Sequence, residues 1–256
     1  MGFFRKGGLM IVCVLAIILI LLGNTFLTLG LSLRYDNIHN ELLPVAEKIA
    51  FENANISEKL DSDFSLISEE YCDNYENFTF TQNEFNVVIP CEVVQNGSEA
   101  FISYGVEAFV NEAYYKEYDC EFWDCVSESV LNSEAPIVLV SEKSKDYWMG
   151  KFYLTFFLFL VSAGLIFFIV EEKTNSFVLL GIFLVVASLP FLFLSKILSP
   201  FFDQIYLELF TALFSNSHTV FLISIISGLI LFGLGLGFKL GNFGYIISKK
   251  FERKKK

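Results

Sequence analysis

Four long apolar runs organise the chain, at residues 9–33, 148–170, 177–198 and 220–240. Each supplies the roughly 20 helical residues needed to cross a hydrocarbon core of about 30 Å. No acidic residue interrupts any of them. Lys151, Lys196 and Lys239 sit near run ends, where long side chains reach the headgroup layer. The first run follows Arg5 and Lys6, as the apolar part of a signal peptide would. Its apolar stretch is about twice the length of such a segment, however, and no A-x-A-like cleavage site is present. It reads as an uncleaved anchor.

The long polar interval, residues 34–147, opens with a helical pattern. Ile38, Leu42, Val45, Ile49, Ile56 and Leu60 recur at steps of three, four and seven, with Glu41, Glu47, Glu52 and Glu58 off that stripe. This predicts the first membrane helix continuing outward with a bend at Pro44. From about Asn83 the texture changes. Residues 85–94 and 135–140 are rich in Val and Ile and read as strands, with a turn at Asn96-Gly97. Residues 100–115 fit strand or helix. In the interval between the third and fourth runs, Ser199-Pro200 has the form of a helix start. Gln204, Glu208, Thr211 and Ser215 then share one face of an otherwise apolar stretch. The amphipathic helix so predicted at 200–215 either lies on the outer membrane surface or docks beneath the polar segment.

The expected fold is a membrane all-α four-helix bundle with a small α+β extracytoplasmic domain inserted between the first and second spans. Residues 1–33 are the cytoplasmic N-terminus and first span, and 34–147 the outer domain. Residues 148–248 carry the other three spans and the amphipathic helix, and 249–256 form a basic cytoplasmic tail.

Charge adds direction to this picture. The net charge of −11 is segregated: 34–147 holds 6 Lys+Arg against 24 Asp+Glu, a net of −18, and the rest holds 12 against 5, a net of +7. Arg5 and Lys6 precede the first span, and Lys249, Lys250, Arg253, Lys254, Lys255 and Lys256 follow the fourth. By the excess of basic residues in cytoplasmic segments, both termini belong inside a cell membrane, and four spans satisfy that parity. The tail is also suited to anionic lipid, so membrane lipid is an expected partner. The acidic segment repels nucleic acid, which is excluded as its partner.

Four of the five cysteines fall in the acidic segment: Cys72, Cys91, Cys120 and Cys125. An even number outside a membrane reads as two disulfides, of three possible connectivities, and Cys72–Cys91 with Cys120–Cys125 is favoured. Zinc ligation fits less well, since Cys120-x4-Cys125 has no matching second pair and no nearby His. Cys13, inside the first span, reads as a packing residue. Asn55-Ile-Ser57, Asn77-Phe-Thr79 and Asn96-Gly-Ser98 match the N-glycosylation acceptor pattern, all in the segment assigned outside. Asp61 with Asp63, Glu69 with Glu70 and Asp73 with Glu76 form small carboxylate clusters. None sits in an EF-hand-like loop, so they read as solvated surface.

Within the spans, Gly233, Gly237 and Gly241 share a face of the fourth helix, with Gly228, Gly235 and Gly244 nearby. Small residues at this spacing let backbones approach. The face packs inside the bundle or supports a homo-oligomer through the fourth helix. Asn24, in the notch Gly23-Asn24-Thr25, is expected to hydrogen-bond a neighbouring helix. Pro190 predicts a kink in the third span, with its freed backbone served by Ser188 or by neighbours.

The two histidines, His39 and His218, both fall near predicted membrane boundaries. The chain lacks H-E-x-x-H, G-x-S-x-G, the phosphate-cradling G-x-x-x-x-G-K-[ST] and a Rossmann glycine pattern after a strand. The sequence thus points away from an enzyme and implies no metal or cofactor. Span count and loop order resemble, in outline, the claudin-like and fungal eisosomal tetraspan families. The claudin-type W…G-L-W…C…C run is missing, with Trp123 between Cys120 and Cys125 instead, so the resemblance assigns no residue a role. The expected function is that of a non-enzymatic membrane protein whose outer domain binds a protein partner or serves as an accessory or sensory module. The alternative is a transporter or channel component with a polar route through the bundle.

Overall fold

The computed structural model describes residues 3–53, 72, 74–82, 85–131, 137–194 and 211–254. In chain order the elements are α1 (Phe3–Ser32), α2 (Tyr35–Asn53), β1 (Asn77–Gln82), β2 (Phe85–Pro90), α3 (Cys91–Gln95), α4 (Ser98–Tyr115) and α5 (Phe122–Leu131). A 3-10 turn (Ile137–Val140) leads into α6 (Glu142–Ile169), α7 (Lys173–Leu192) and α8 (Ser217–Lys254). The described residues are mostly helical, with one two-stranded sheet among them. It divides into two compact units, one of Met1–Leu29, Trp148–Phe201 and Asn216–Lys256, the other of Gly30–Tyr147 and Phe202–Ser215.

In the first unit, α1, α6, α7 and α8 are long and apolar enough to cross a membrane. At about 1.5 Å per residue the shortest, α7 with 20 residues, is about 30 Å long, just the thickness of a hydrocarbon core. All four meet around Ala16, Ile166 and Leu180, with Val12, Phe159, Phe183 and Leu231 packed against them. Most of their remaining large apolar side chains, such as Met10, Phe157, Phe168 and Leu240, are exposed. Helices that hide only a seam and present Phe and Leu elsewhere suit an apolar solvent.

One end of this unit is closed by basic side chains on helix carbonyls. The Arg5 Nε donates to Ile169 O (2.7 Å) and its Nη1 to Glu171 (3.3 Å). The Lys173 ammonium donates to Phe167 O (2.6 Å) and Val170 O (3.2 Å). The last carbonyls of a helix lack internal donors and carry partial negative charge, which these cations answer. Lys239 reaches Asn175 at the same end (3.3 Å).

The third apolar run is described as far as residue 194, and its last residues, 195–198, lie outside the described residues. Helix α7 starts at Lys173 and stops at Leu192, where the Phe193 amide closes a tight turn on Pro190 O (3.2 Å). Pro190 lacks the amide that would bond Val186 O. Ser188 does not serve that carbonyl; its hydroxyl donates to Val185 O (2.8 Å).

In the second unit the helix break falls at Leu33–Arg34, between α1 and α2, while Pro44 lies within α2. The break is hydrogen-bonded throughout. Leu31 O accepts from the Asn37 side chain (2.7 Å) and Leu33 O from the Tyr114 hydroxyl (2.9 Å). Arg34 O starts α2 by accepting the amides of Asn37 and Ile38 (2.9 and 3.0 Å). Helix α2 pairs with α4 in antiparallel order: Tyr35 accepts from Asn111 (2.8 Å), His39 meets Glu107 (3.2 Å) and Glu47 accepts the Ser103 hydroxyl. Glu47 is thus a pairing residue, not only a solvated one.

The sheet is a hairpin in which Phe78 faces Ile89 and Phe80 faces Val87. Val87, Ile89 and Val94 form its core with Phe78, Phe101 and Phe109. The expected strand over 85–94 is shorter: β2 ends at Pro90, and α3 begins at Cys91. Pro90 cannot donate to a ladder, which fits it to a strand end and a helix entry. Asn96-Gly97 turns between two helices, not two strands. Gly97 has φ 108°, a backbone conformation reserved for glycine, and its carbonyl accepts the first α4 bond from Phe101 (3.1 Å). Residues 137–140, read as part of a strand, form the 3-10 turn. That turn feeds the cap of α6: Ser141 Oγ donates to Val138 O (2.7 Å) and accepts the Ser144 amide (3.4 Å).

Candidate functional site

Two groups of residues from the sequence reading come together, one in each unit. In the second unit the cysteines pair Cys72 with Cys91 and Cys120 with Cys125, each at a Cα separation of 5.5 Å. The Cys91 amide also donates to Glu76 O (3.0 Å), so the first pair fixes the chain entering β1 to the base of α3. The second pair closes the short loop before and into α5. Lys143, one residue into the first turn of α6, donates to Tyr118 O (2.6 Å) and to Cys120 O, holding that loop. Around these ties Glu76, Glu92, Glu99, Glu107, Glu117 and Glu121 are exposed. The pairs Asp61/Asp63 and Glu69/Glu70, with Asp73, lie outside the described residues, as does Asn55. Asn77 and Asn96 are exposed, at the start of β1 and at the turn after α3. Among the described residues no three His, Cys, Asp or Glu side chains cluster as a metal site.

An aromatic cluster gathers around the buried Tyr114. Tyr35, Tyr114 and Tyr115 contact one another, with centroids 4.9–5.3 Å apart. Burial pushes the Tyr114 hydroxyl up to about 12, and Glu142 adds to the shift while Lys145 opposes it. Lys145 is itself raised by its hydrogen bond to Glu142 (2.8 Å).

In the first unit Asn24 is buried, and its Oδ1 accepts the Ser224 hydroxyl of α8 (2.9 Å). Its own backbone carbonyl takes the Thr28 hydroxyl (2.7 Å). Its Nδ2 has no hydrogen-bond partner among the described residues. Thr155 of α6 stands beside Gly23, where an added Cβ would lie 3.6 Å from its Oγ1. Asn24 therefore does join two helices, through a serine that the sequence reading did not single out.

The glycines of the spans fall into two sets. Gly233, Gly237 and Gly241 have open space where a Cβ would be. The close helix crossing is made instead by Gly181 of α7 with Gly228 and Gly235 of α8. A Cβ on Gly181 would fall 2.6 Å from Gly228 O, and one on Gly235 would fall 2.7 Å from Val178 Cγ2. Gly228 and Gly235 are seven residues apart and so share a face. Gly233, Gly237 and Gly241 lie roughly 140–180° round the helix from Gly228 at about 100° per residue. A lone glycine within an apolar helix, as Gly181 is, carries a signal of its own, because it weakens the helix unless a neighbour needs the space. The amphipathic segment at 200–215 falls largely outside the described residues; Ala212, near its end, is buried.

Four helices of this length and apolarity define the class as membrane protein. Comparison with known proteins takes it no further: the chain matches no protein family, no curated relative and no solved structure.

Proposed function

We propose that this is a non-enzymatic, four-span protein of a cell membrane with both termini in the cytoplasm, and that residues 34–147 form an extracytoplasmic domain that captures a protein partner. The observation that carries this reading is the exposed carboxylate surface on a unit cross-tied at Cys72–Cys91 and Cys120–Cys125. Fixed charge on a rigid surface steers and selects a partner of opposite charge, and rigidity lowers the entropy lost on binding. Disulfide pairing accords with an oxidising, external location. So do Asn77 and Asn96, which stand exposed for glycan attachment.

The test is affinity purification of the intact protein in mild detergent, followed by mass spectrometry. A stoichiometric basic partner that is lost in Glu92→Lys/Glu99→Lys/Glu121→Lys supports the proposal. Its retention in that variant, or recovery of lipid alone, overturns it. Orientation is tested separately by endoglycosidase digestion, with Asn77→Gln and Asn96→Gln each expected to remove one glycan.

A second reading has its own support. The unpaired Nδ2 of Asn24, whose Oδ1 accepts the Ser224 hydroxyl, is the kind of group a polar route through the helices would use. Ion flux in reconstituted vesicles that vanishes with Asn24→Leu would make transport the primary function.

A further inference from the structure

We infer that Trp123, held by the Cys120–Cys125 loop, is a membrane-interface anchor whose indole sits in the lipid headgroup layer beside Tyr147. Three observations converge on it. First, Trp123 is 57% exposed, a large apolar ring that its own unit leaves mostly uncovered. Second, its position is fixed. The indole N–H donates to the Tyr147 hydroxyl (2.8 Å), Phe122 stacks on the Tyr147 ring at 4.2 Å, and the disulfide and Lys143 hold the loop. Third, Tyr147 immediately precedes Trp148 in the continuous helix α6, and Trp148 opens the second apolar run.

Bonding to Tyr147 therefore sets the level of Trp123 along the membrane normal at the start of a span. Trp and Tyr combine an apolar body with one polar tip, and they are favoured where hydrocarbon gives way to headgroups. Neutral, zwitterionic lipid is the fitting occupant, because the exposed Glu121 and Asp124 stand within two residues of Trp123 in the chain and would repel an anionic surface. The consequence is a second tether: the disulfide loop is bound to the bilayer through Trp123, in addition to its covalent link to the spans.

The inference rests on α6 crossing a membrane, and the two tryptophans of the chain separate the two questions. The full-length protein is placed in phosphatidylcholine vesicles in which a fraction of the lipid carries a quencher, either near the headgroup or deep in the acyl chain. Trp148→Phe leaves Trp123 as the only tryptophan, and Trp123→Phe leaves Trp148. The expected result is that Trp123 emission is quenched more by the shallow lipid than by the deep one, and is partly shielded from aqueous iodide. Full iodide access with no lipid quenching of Trp123, while Trp148 is quenched by lipid, overturns the anchor alone. Shielding of Trp123 from both lipid and iodide also overturns it, since protein then covers the ring. Absence of lipid quenching for both tryptophans overturns the membrane reading together with the anchor.

Discussion

Alanine at Gly181 probes the tightest place in the first unit. Its Cβ would stand 2.6 Å from Gly228 O, 2.7 Å from Phe232 N and 2.9 Å from Phe232 Cβ. Two of these three neighbours are backbone atoms, which cannot turn aside as a flexible side chain can. Helices α7 and α8 must therefore move apart by several tenths of an ångström, with loss of contact along the rest of the crossing. Overpacking of this kind costs about 1–3 kcal/mol. Alanine returns up to about 1 kcal/mol through its higher helix propensity. The net expectation for Gly181→Ala is a destabilisation of about 1–2 kcal/mol. Gly233→Ala is the matched control. It keeps the propensity gain and meets nothing within 4 Å, so it should be neutral or stabilising. Reversible unfolding in mixed micelles, followed by far-UV circular dichroism, measures both. Gly181→Ala as stable as the parent, or Gly233→Ala as damaging as Gly181→Ala, would refute the assignment of the crossing. Because Gly181 and Gly228 face one another, the double alanine variant should depart from additivity.

Three further outcomes follow from the same geometry. Ser224→Ala removes the hydroxyl donor to Asn24 and should lower stability by about 0.5–1.5 kcal/mol in the same unfolding assay, the range for hydrogen bonds between membrane helices. Opening Cys72–Cys91 by paired serine substitution should cost about 3 kcal/mol, and opening Cys120–Cys125 about 2 kcal/mol, because the larger loop restrains the unfolded chain more; denaturant unfolding of the full-length variants in detergent checks the order. Tyr114 is neutral when folded until about pH 12 but ionises near pH 10 when unfolded. Its contribution is therefore complete below pH 10 and lost as pH rises towards 12, at up to about 1.4 kcal/mol per pH unit.

How much of this was legible beforehand depends on what each feature physically requires. The four spans need only length and apolarity, which are properties of contiguous residues, and the sequence determined them. The pairing of the cysteines was favoured by spacing, since a short loop such as 120–125 closes with little entropy loss. The Val-rich 85–94 region was half legible: its apolar alternation belongs to a strand, but Pro90 ends the ladder, and the chain continues as helix from Cys91, which is tied to Cys72. Residues 77–82, with Phe and Thr alternating, carry a strand pattern that polar neighbours concealed.

Tertiary structure alone decided which small residues pack. Glycine spacing places Gly233, Gly237 and Gly241 on one face, but spacing cannot say which face a neighbouring helix occupies. That choice came from α7 meeting α8 at Gly181, Gly228 and Gly235. It also came from contacts between residues far apart in the chain, such as Asn24 with Ser224 and Tyr114 with Leu33. A local pattern fixes what one helix offers along its own surface. The partner that takes up the offer is set by the packing of all the helices at once.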